Sequence, residues 1–211
     1  MSAGEPITVL LCDDQALIRQ ALGALIGLEP DLDVVAQVAD AASAVAAAGR
    51  FQPRVAVMDV QLAETGSGVD GITATREVLR ASPGTRVIIV TTFGRPGYLQ
   101  RAMAAGAVGF MVKDAPADQL IEGIRRVAAG LRVVDPTLAA ASLSMGGSPL
   151  TERETEVLLA ARQGGSTAMI ASQVFLSEGT VRNHLSNAMG KLGAASRAEA
   201  VRVATDNGWL A

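Results

Sequence analysis

The strongest constraint on this chain is an alternation of two textures. Over residues 5–130, five short apolar runs rich in β-branched residues (7–12, 32–38, 55–60, 86–92 and 109–113) alternate with stretches of helical character. Runs such as "VIIV" are apolar at every position, as a strand covered on both faces should be. Strands alternating with helices at this spacing predict βαβ units and an α/β fold with an open, doubly wound parallel sheet. Ligands of such a sheet sit at the carboxyl ends of its strands.

After "VVDP" the texture changes. Residues 131–149 read as a linker with room for one helical turn, and residues 150–211 as four short helices without strand signals. Thr151 with Glu154 and Ser196 with Glu199 have capping-box spacing. Ser166 and Ser177 are good N-caps. The division is therefore 5–130, 131–149 and 150–211.

Bulk properties exclude several classes. No apolar run approaches the roughly 20 residues a membrane helix needs, and the N-terminus lacks the pattern of a secretory signal. The expectation is a cytoplasmic protein without a membrane partner. Cys12 is the single cysteine and lies in an apolar run, so it reads as a buried, inert thiol. Net charge is −3, and residues 150–211 carry six basic and six acidic side chains, so nucleic-acid binding would depend on local arrangement. Sixteen of the 18 basic residues are arginine; the two lysines are Lys113 and Lys191.

The strand ends carry the chemistry. The first run ends at Asp13 and Asp14, the third carries Asp59, the fourth ends at Thr91 and Thr92, and the fifth at Lys113. A parallel sheet brings all these ends to one edge. Three carboxylates together repel unless a cation sits among them, and an all-oxygen set suits Mg²⁺. A carboxylate can also act as a nucleophile and become an aspartyl phosphate. The acid pair is therefore expected to hold a divalent ion that prepares Asp59 to accept a phosphoryl group.

These residues carry a resemblance. "LLCDDQ", "VAVMDV", "VTTF" and "GAVGFMVKDA" are similar, in order, to the motifs of the receiver domain of bacterial two-component response regulators. The resemblance implies a flavodoxin-like (βα)5 fold, with Asp59 as phosphoacceptor and a histidine kinase as its donor. It further implies Mg²⁺ at Asp13, Asp14, Asp59 and the Gln61 carbonyl, Thr91 and Lys113 on the phosphoryl group, and Phe110 as aromatic switch. One stretch departs from the family. The segment "QLAETGSGVDG" (61–71) has Ala63 where a proline is usual and about four extra residues before Asp70-Gly71.

The second half supports a second resemblance. On a helix over 179–192, Val181, Leu185, Ala188 and Leu192 form one apolar stripe. Gly179, Asn183, Ser186 and Gly190, flanked by Arg182 and Asn187, form the opposite face. With the short helix before it and a turn through Phe175, Leu176 and Ser177, this is a helix-turn-helix. "LTERE", "IASQVFLSEGTVRNHLSNAMGKLG" and "SRAEAVRVA" resemble the DNA-binding domain of the NarL/LuxR (FixJ) family. The resemblance implies that 177–192 enters double-stranded DNA. Arg182, Asn183 and Ser186 would face bases or nearby phosphates, and Thr180 and Lys191 the backbone. His184 beside the stripe is expected to pack.

Together the halves imply a non-enzymatic transcriptional regulator whose phosphorylation favours a homodimer and operator binding. Two other readings compete. An aspartyl-nucleophile phosphatase usually needs a second acid two residues after the nucleophile, where this chain has Gln61. A phosphorylation-independent regulator would keep the receiver as a dimerisation or ligand-binding module.

Overall fold

The structure, a computed structural model, describes residues 5–62, 70–92, 94–145 and 147–210. Ala63 and the extra residues before Asp70 lie outside the described residues.

The chain forms two compact units. The first contains a six-stranded parallel sheet with strands β1 (Ile7–Cys12), β2 (Leu32–Val38), β3 (Val55–Asp59), β4 (Arg86–Thr91), β5 (Gly109–Val112) and β6 (Val133–Val134). Their order is β2-β1-β3-β4-β5-β6. The crossovers are α1 (Ala16–Gly27), α2 (Ala41–Phe51), α3 (Gly71–Ala81), α4 (Pro96–Ala105) and α5 (Ala117–Ala128). The reversal between β1 and β3 is the switch point at which a doubly wound sheet opens a crevice.

Side chains on alternate strand positions face opposite sides of the sheet. Val9, Leu11, Val57, Ile88, Val90 and Met111 pack with Ile26 of α1 and with Leu120, Ile121, Ile124 and Val127 of α5. α2 packs against α3. Both helices begin at an aspartate whose carboxylate accepts a backbone N–H: Asp40 from Ser43 and Asp70 from Thr73. Five of the strands fall on the expected runs. The sixth, with the ten-residue α6 (Pro136–Met145), lies where the sequence suggested a linker with room for one helical turn. Val133-Val134 extends the sheet by pairing with Gly109-Phe110. A two-residue strand is too short to show periodicity, so its edge pairing was not legible.

The second unit holds α7 (Glu152–Arg162), α8 (Thr167–Gln173), α9 (Glu178–Leu192) and α10 (Arg197–Asp206). Their shared core includes Val157, Leu158, Ile170, Val181, Leu185, Ala188, Ala200 and Ala204, so the apolar stripe of α9 faces inward as expected. Thr151 and Glu154 form the full capping box of α7. Ser166, Ser177 and Ser196 each accept the backbone N–H three residues on. At α10 the expected box is altered, because Glu199 accepts from the Ala195 amide, one residue before the cap.

Candidate functional site

The carboxyl ends of β1, β3, β4 and β5 meet at one edge of the sheet. Asp13 and Asp59 are buried, at 2% and 3% exposure, and Asp14 is half-buried. One carboxylate oxygen of each of the three lies within 4.8 Å of the others. The Lys113 ammonium sits between two of them, 2.6 Å from Asp13 Oδ2 and 2.8 Å from Asp59 Oδ2. Its backbone N–H donates to the Thr91 carbonyl at 2.8 Å, which registers the end of β5 against β4.

Asp13 is the most fully engaged of the acids. Its Oδ1 accepts the Gln15 N–H at 2.9 Å, its Oδ2 meets Lys113, and its carbonyl accepts from Arg19 of α1. Asp14 Oδ1 and Asp59 Oδ1 are different: both are buried without a hydrogen-bond partner among the described residues. Buried acceptors left unsatisfied are costly, and more so for carboxylates. Two orphaned carboxylate oxygens beside a third acid form an oxygen-only set with no soft donor, which is the chemistry a hard divalent cation requires. The residues present therefore fit Mg²⁺. Bound there, the ion would neutralise charge on the acids and on an incoming phosphoryl oxygen.

Burial pushes the Asp59 carboxyl above its usual range, while Lys113 and the Gln61 backbone N–H work in the other direction. For Lys113 burial opposes the charge, yet hydrogen bonds to Asp13 and Asp59 outweigh it and raise the ammonium. Burial and the nearby carboxylates lift the Cys12 thiol to about 12, which leaves it protonated and inert, as expected.

Close packing fixes the backbone behind Asp59. Gly71 opens α3 directly over this strand end, and a Cβ there would fall 1.7 Å from the Asp59 carbonyl oxygen. Its N–H donates to the Val60 carbonyl. Asp70 caps α3 and pairs with Arg101 of α4 at 2.7 Å, so the far end of the 61–71 segment is anchored. Thr91 is wholly buried at the end of β4. Phe110 is also wholly buried, so its ring lies inward, on the sheet face opposite Met111.

Several contributors were not anticipated. Arg19 holds the Asp13 carbonyl from the next helix, and Arg101 holds Asp70 across 31 residues of sequence. The sequence trace of Arg19 was a cation on the helix after an acidic strand end; Arg101, 31 residues from Asp70, left none.

In the helical unit Arg182, Asn183 and Ser186 are exposed on α9 while Val181, Leu185 and Ala188 are buried. The hydroxyls of Thr180 and Ser177 share a hydrogen bond at 2.8 Å. His184 is half-buried beside the stripe. Lys191 is not directed solely outward: its ammonium donates to buried Glu154 at 2.7 Å, tying the end of α9 to the start of α7.

Comparison with known proteins agrees with this geometry. A family model for the response regulator receiver domain matches residues 9–125, and one described as bacterial regulatory proteins, luxR family, matches residues 148–204. The chain is 37% identical over 204 residues to the uncharacterized transcriptional regulatory protein YvfU of Bacillus subtilis, covering 97% of this chain and all of that one. It is also 37% identical to the transcriptional regulatory protein DesR of the same organism, over 97% of this chain and 99% of DesR. Among solved structures, that of the response regulator ChrA of a heme-sensing two-component system aligns with a TM-score of 0.56 and 31% identity, over 98% of this chain and all of that one. Among the described residues, no helix is long and apolar enough to cross a membrane.

Proposed function

The chain belongs to the response regulators that join a receiver domain to a LuxR-type DNA-binding domain, and on that premise we propose that Asp59 is its phosphoacceptor and α9 its DNA-reading helix. The observation that carries the proposal is the buried cage in which Asp59, beside Lys113 and two further acids, keeps one oxygen that has no hydrogen-bond partner among the described residues. A carboxylate oxygen of Asp59 attacks the phosphorus of a phosphohistidine on a cognate kinase. The P–O bond forms as the P–N bond breaks, and the imidazole leaves. Lys113 is placed to share its charge between Asp59 and the transferred phosphoryl group. The Thr91 hydroxyl is the proposed donor to a phosphoryl oxygen, and Mg²⁺ at Asp14, Asp59 and the Gln61 carbonyl, with Asp13 beside it, is the proposed cofactor.

The transferred group adds about −1.5 to −2 of charge at neutral pH. That charge biases the receiver toward a form that pairs, and a homodimer presents two α9 helices to two DNA half-sites. Phe110, whose ring is buried here, is the proposed aromatic switch. On α9, Arg182, Asn183 and Ser186 are the proposed base-facing residues and Thr180 the proposed backbone contact. Lys191 can reach a phosphate only by giving up Glu154. We assign the receiver to 5–130, the connection to 131–149, the DNA-binding domain to 150–211, and the protein to the cytoplasm.

Sedimentation of the full chain with Mg²⁺, with and without beryllofluoride, tests the proposal. The account expects a beryllofluoride-dependent shift to dimer that Asp59→Ala removes. An equal distribution of species under both conditions would instead support a phosphorylation-independent regulator.

A further inference from the structure

Phe175 is the most exposed large apolar side chain of those described, at 94%. It lies in the turn between α8 and α9 with φ at +54°, in the left-handed region that glycine enters freely and bulky side chains avoid. Among the described residues the other non-glycine with positive φ is Gln52, and its side-chain amide explains it. That side chain donates to the Gly49 and Ala81 carbonyls and accepts from Ser82, bonds that hold the end of α2. An aromatic ring offers no such compensation. The neighbours of Phe175 do the packing: Val174 is in the helical core and Leu176 packs against it. The Leu176 N–H donates to the Ala171 carbonyl at 2.9 Å and closes the turn whatever residue stands at 175. Glycine would make the same turn with less strain, so the ring serves something outside the fold.

Its surroundings indicate what. Phe175 stands two residues before Ser177, the N-cap of the helix assigned to DNA. From Val157 through Ser177 the chain carries no carboxylate, and Arg162 is the one charged residue of that stretch. The next residue beyond it, Glu178 in the first turn of α9, is exposed but pairs with Arg182 at 3.6 Å, so the acid nearest the turn is offset by a cation and the approach of a polyanion is not opposed. We propose that Phe175 packs its ring on the deoxyribose edge of the DNA strand at the rim of the groove that α9 enters. It thereby positions the helix without reading sequence. The inference rests on α9 being the recognition helix.

The test measures binding of the full chain to a duplex recovered by the wild type from a random pool, and to an unrelated duplex. Phe175→Gly should lower affinity for both by about the same factor, roughly tenfold, as expected for losing part of the burial of one phenyl ring. The slope of log affinity against log salt should stay unchanged, because no cation is removed. Its thermal midpoint should equal or exceed that of the wild type. Phe175→Leu, which keeps apolar area, should fall between. Asn183→Ala is the control and should weaken chiefly the recovered duplex. Unchanged affinity of Phe175→Gly while Asn183→Ala loses binding would overturn the proposal alone. If neither variant lost affinity, the assignment of α9 would fall with it. A loss accompanied by a lower thermal midpoint would assign Phe175 to the fold. A loss of transcription with intact DNA affinity would assign the ring to a protein partner. Either result would also overturn the proposal.

Discussion

The two lysines of this chain each meet a buried carboxylate, and the two sites differ in what they leave unsatisfied. Lys191 joins Glu154, whose carboxylate also accepts the Thr151 amide within the capping box. Burial opposes the Glu154 charge, but Lys191 and Thr151 outweigh it and hold the carboxyl below its usual range. Among the described residues, Glu154 has no orphaned buried atom. Lys113 joins Asp13 and Asp59, yet Asp59 Oδ1 and Asp14 Oδ1 have no hydrogen-bond partner among the described residues, and burial pushes the Asp59 carboxyl up. One cluster is a completed pin between helices. The other gathers three acids around one ammonium with two buried oxygens unsatisfied among the described residues, and such a cluster at the switch point of a doubly wound sheet marks a place for chemistry.

The contrast can be broken from either side. The largest expected effect is at the acidic site. Lys113→Met should slow phosphorylation of Asp59 by a small acyl phosphate about a hundredfold, the scale of losing one preorganised charge donor. Unfolding of the 150–211 unit should be unaffected. A rate equal to wild type would deny Lys113 any part in the chemistry.

At the completed pin the effect should appear in stability instead. Glu154→Ala removes a cap partner and leaves Lys191 without its carboxylate, which should cost the helical unit about 2–3 kcal/mol in a denaturant titration. Phosphorylation of Asp59 should proceed as in the wild type. Transfer of the defect to phosphorylation would show that the two clusters are not separate devices.

A smaller effect follows from acidity. The Glu154 carboxyl is lowered in the folded chain from its ordinary value of 4.5. Its contribution is therefore present above that pH and is lost as pH falls through the lower, folded value. Stability of the helical unit should drop on acidification below about 4.5, and Glu154→Gln should flatten that part of the profile. A parallel profile in the variant would place the acid sensitivity elsewhere. Arg182→Ala should have the mildest consequence, about a tenfold loss of DNA affinity with a shallower salt slope if the contact is to phosphate. An unchanged slope with altered base preference would instead make it a base contact.

Legibility followed the range of the interactions. The five main strands, the capping serines and the α9 stripe were readable because each is set within a few residues. The acidic site was readable because a parallel sheet brings strand ends to one edge, so local ends became a shared place. What escaped was pairing across the chain. The resemblance placed Lys191 on the DNA backbone, and its bond to Glu154, 37 residues earlier, could not be read because Glu154 was already accounted for by the capping box. Arg19 and Arg101 escaped in the same way. Phe175 read as an ordinary turn residue, since neither its exposure nor the sign of its φ is visible in sequence.

The most direct test is to locate a transferred phosphoryl group. The full chain is incubated with Mg²⁺ and acetyl phosphate, and its intact mass and peptides are weighed. The account predicts a single Mg²⁺-dependent phosphoryl adduct on the peptide containing Asp59, absent from Asp59→Asn and retained by Glu154→Gln. No adduct on the wild type, or an adduct that survives Asp59→Asn, would contradict it.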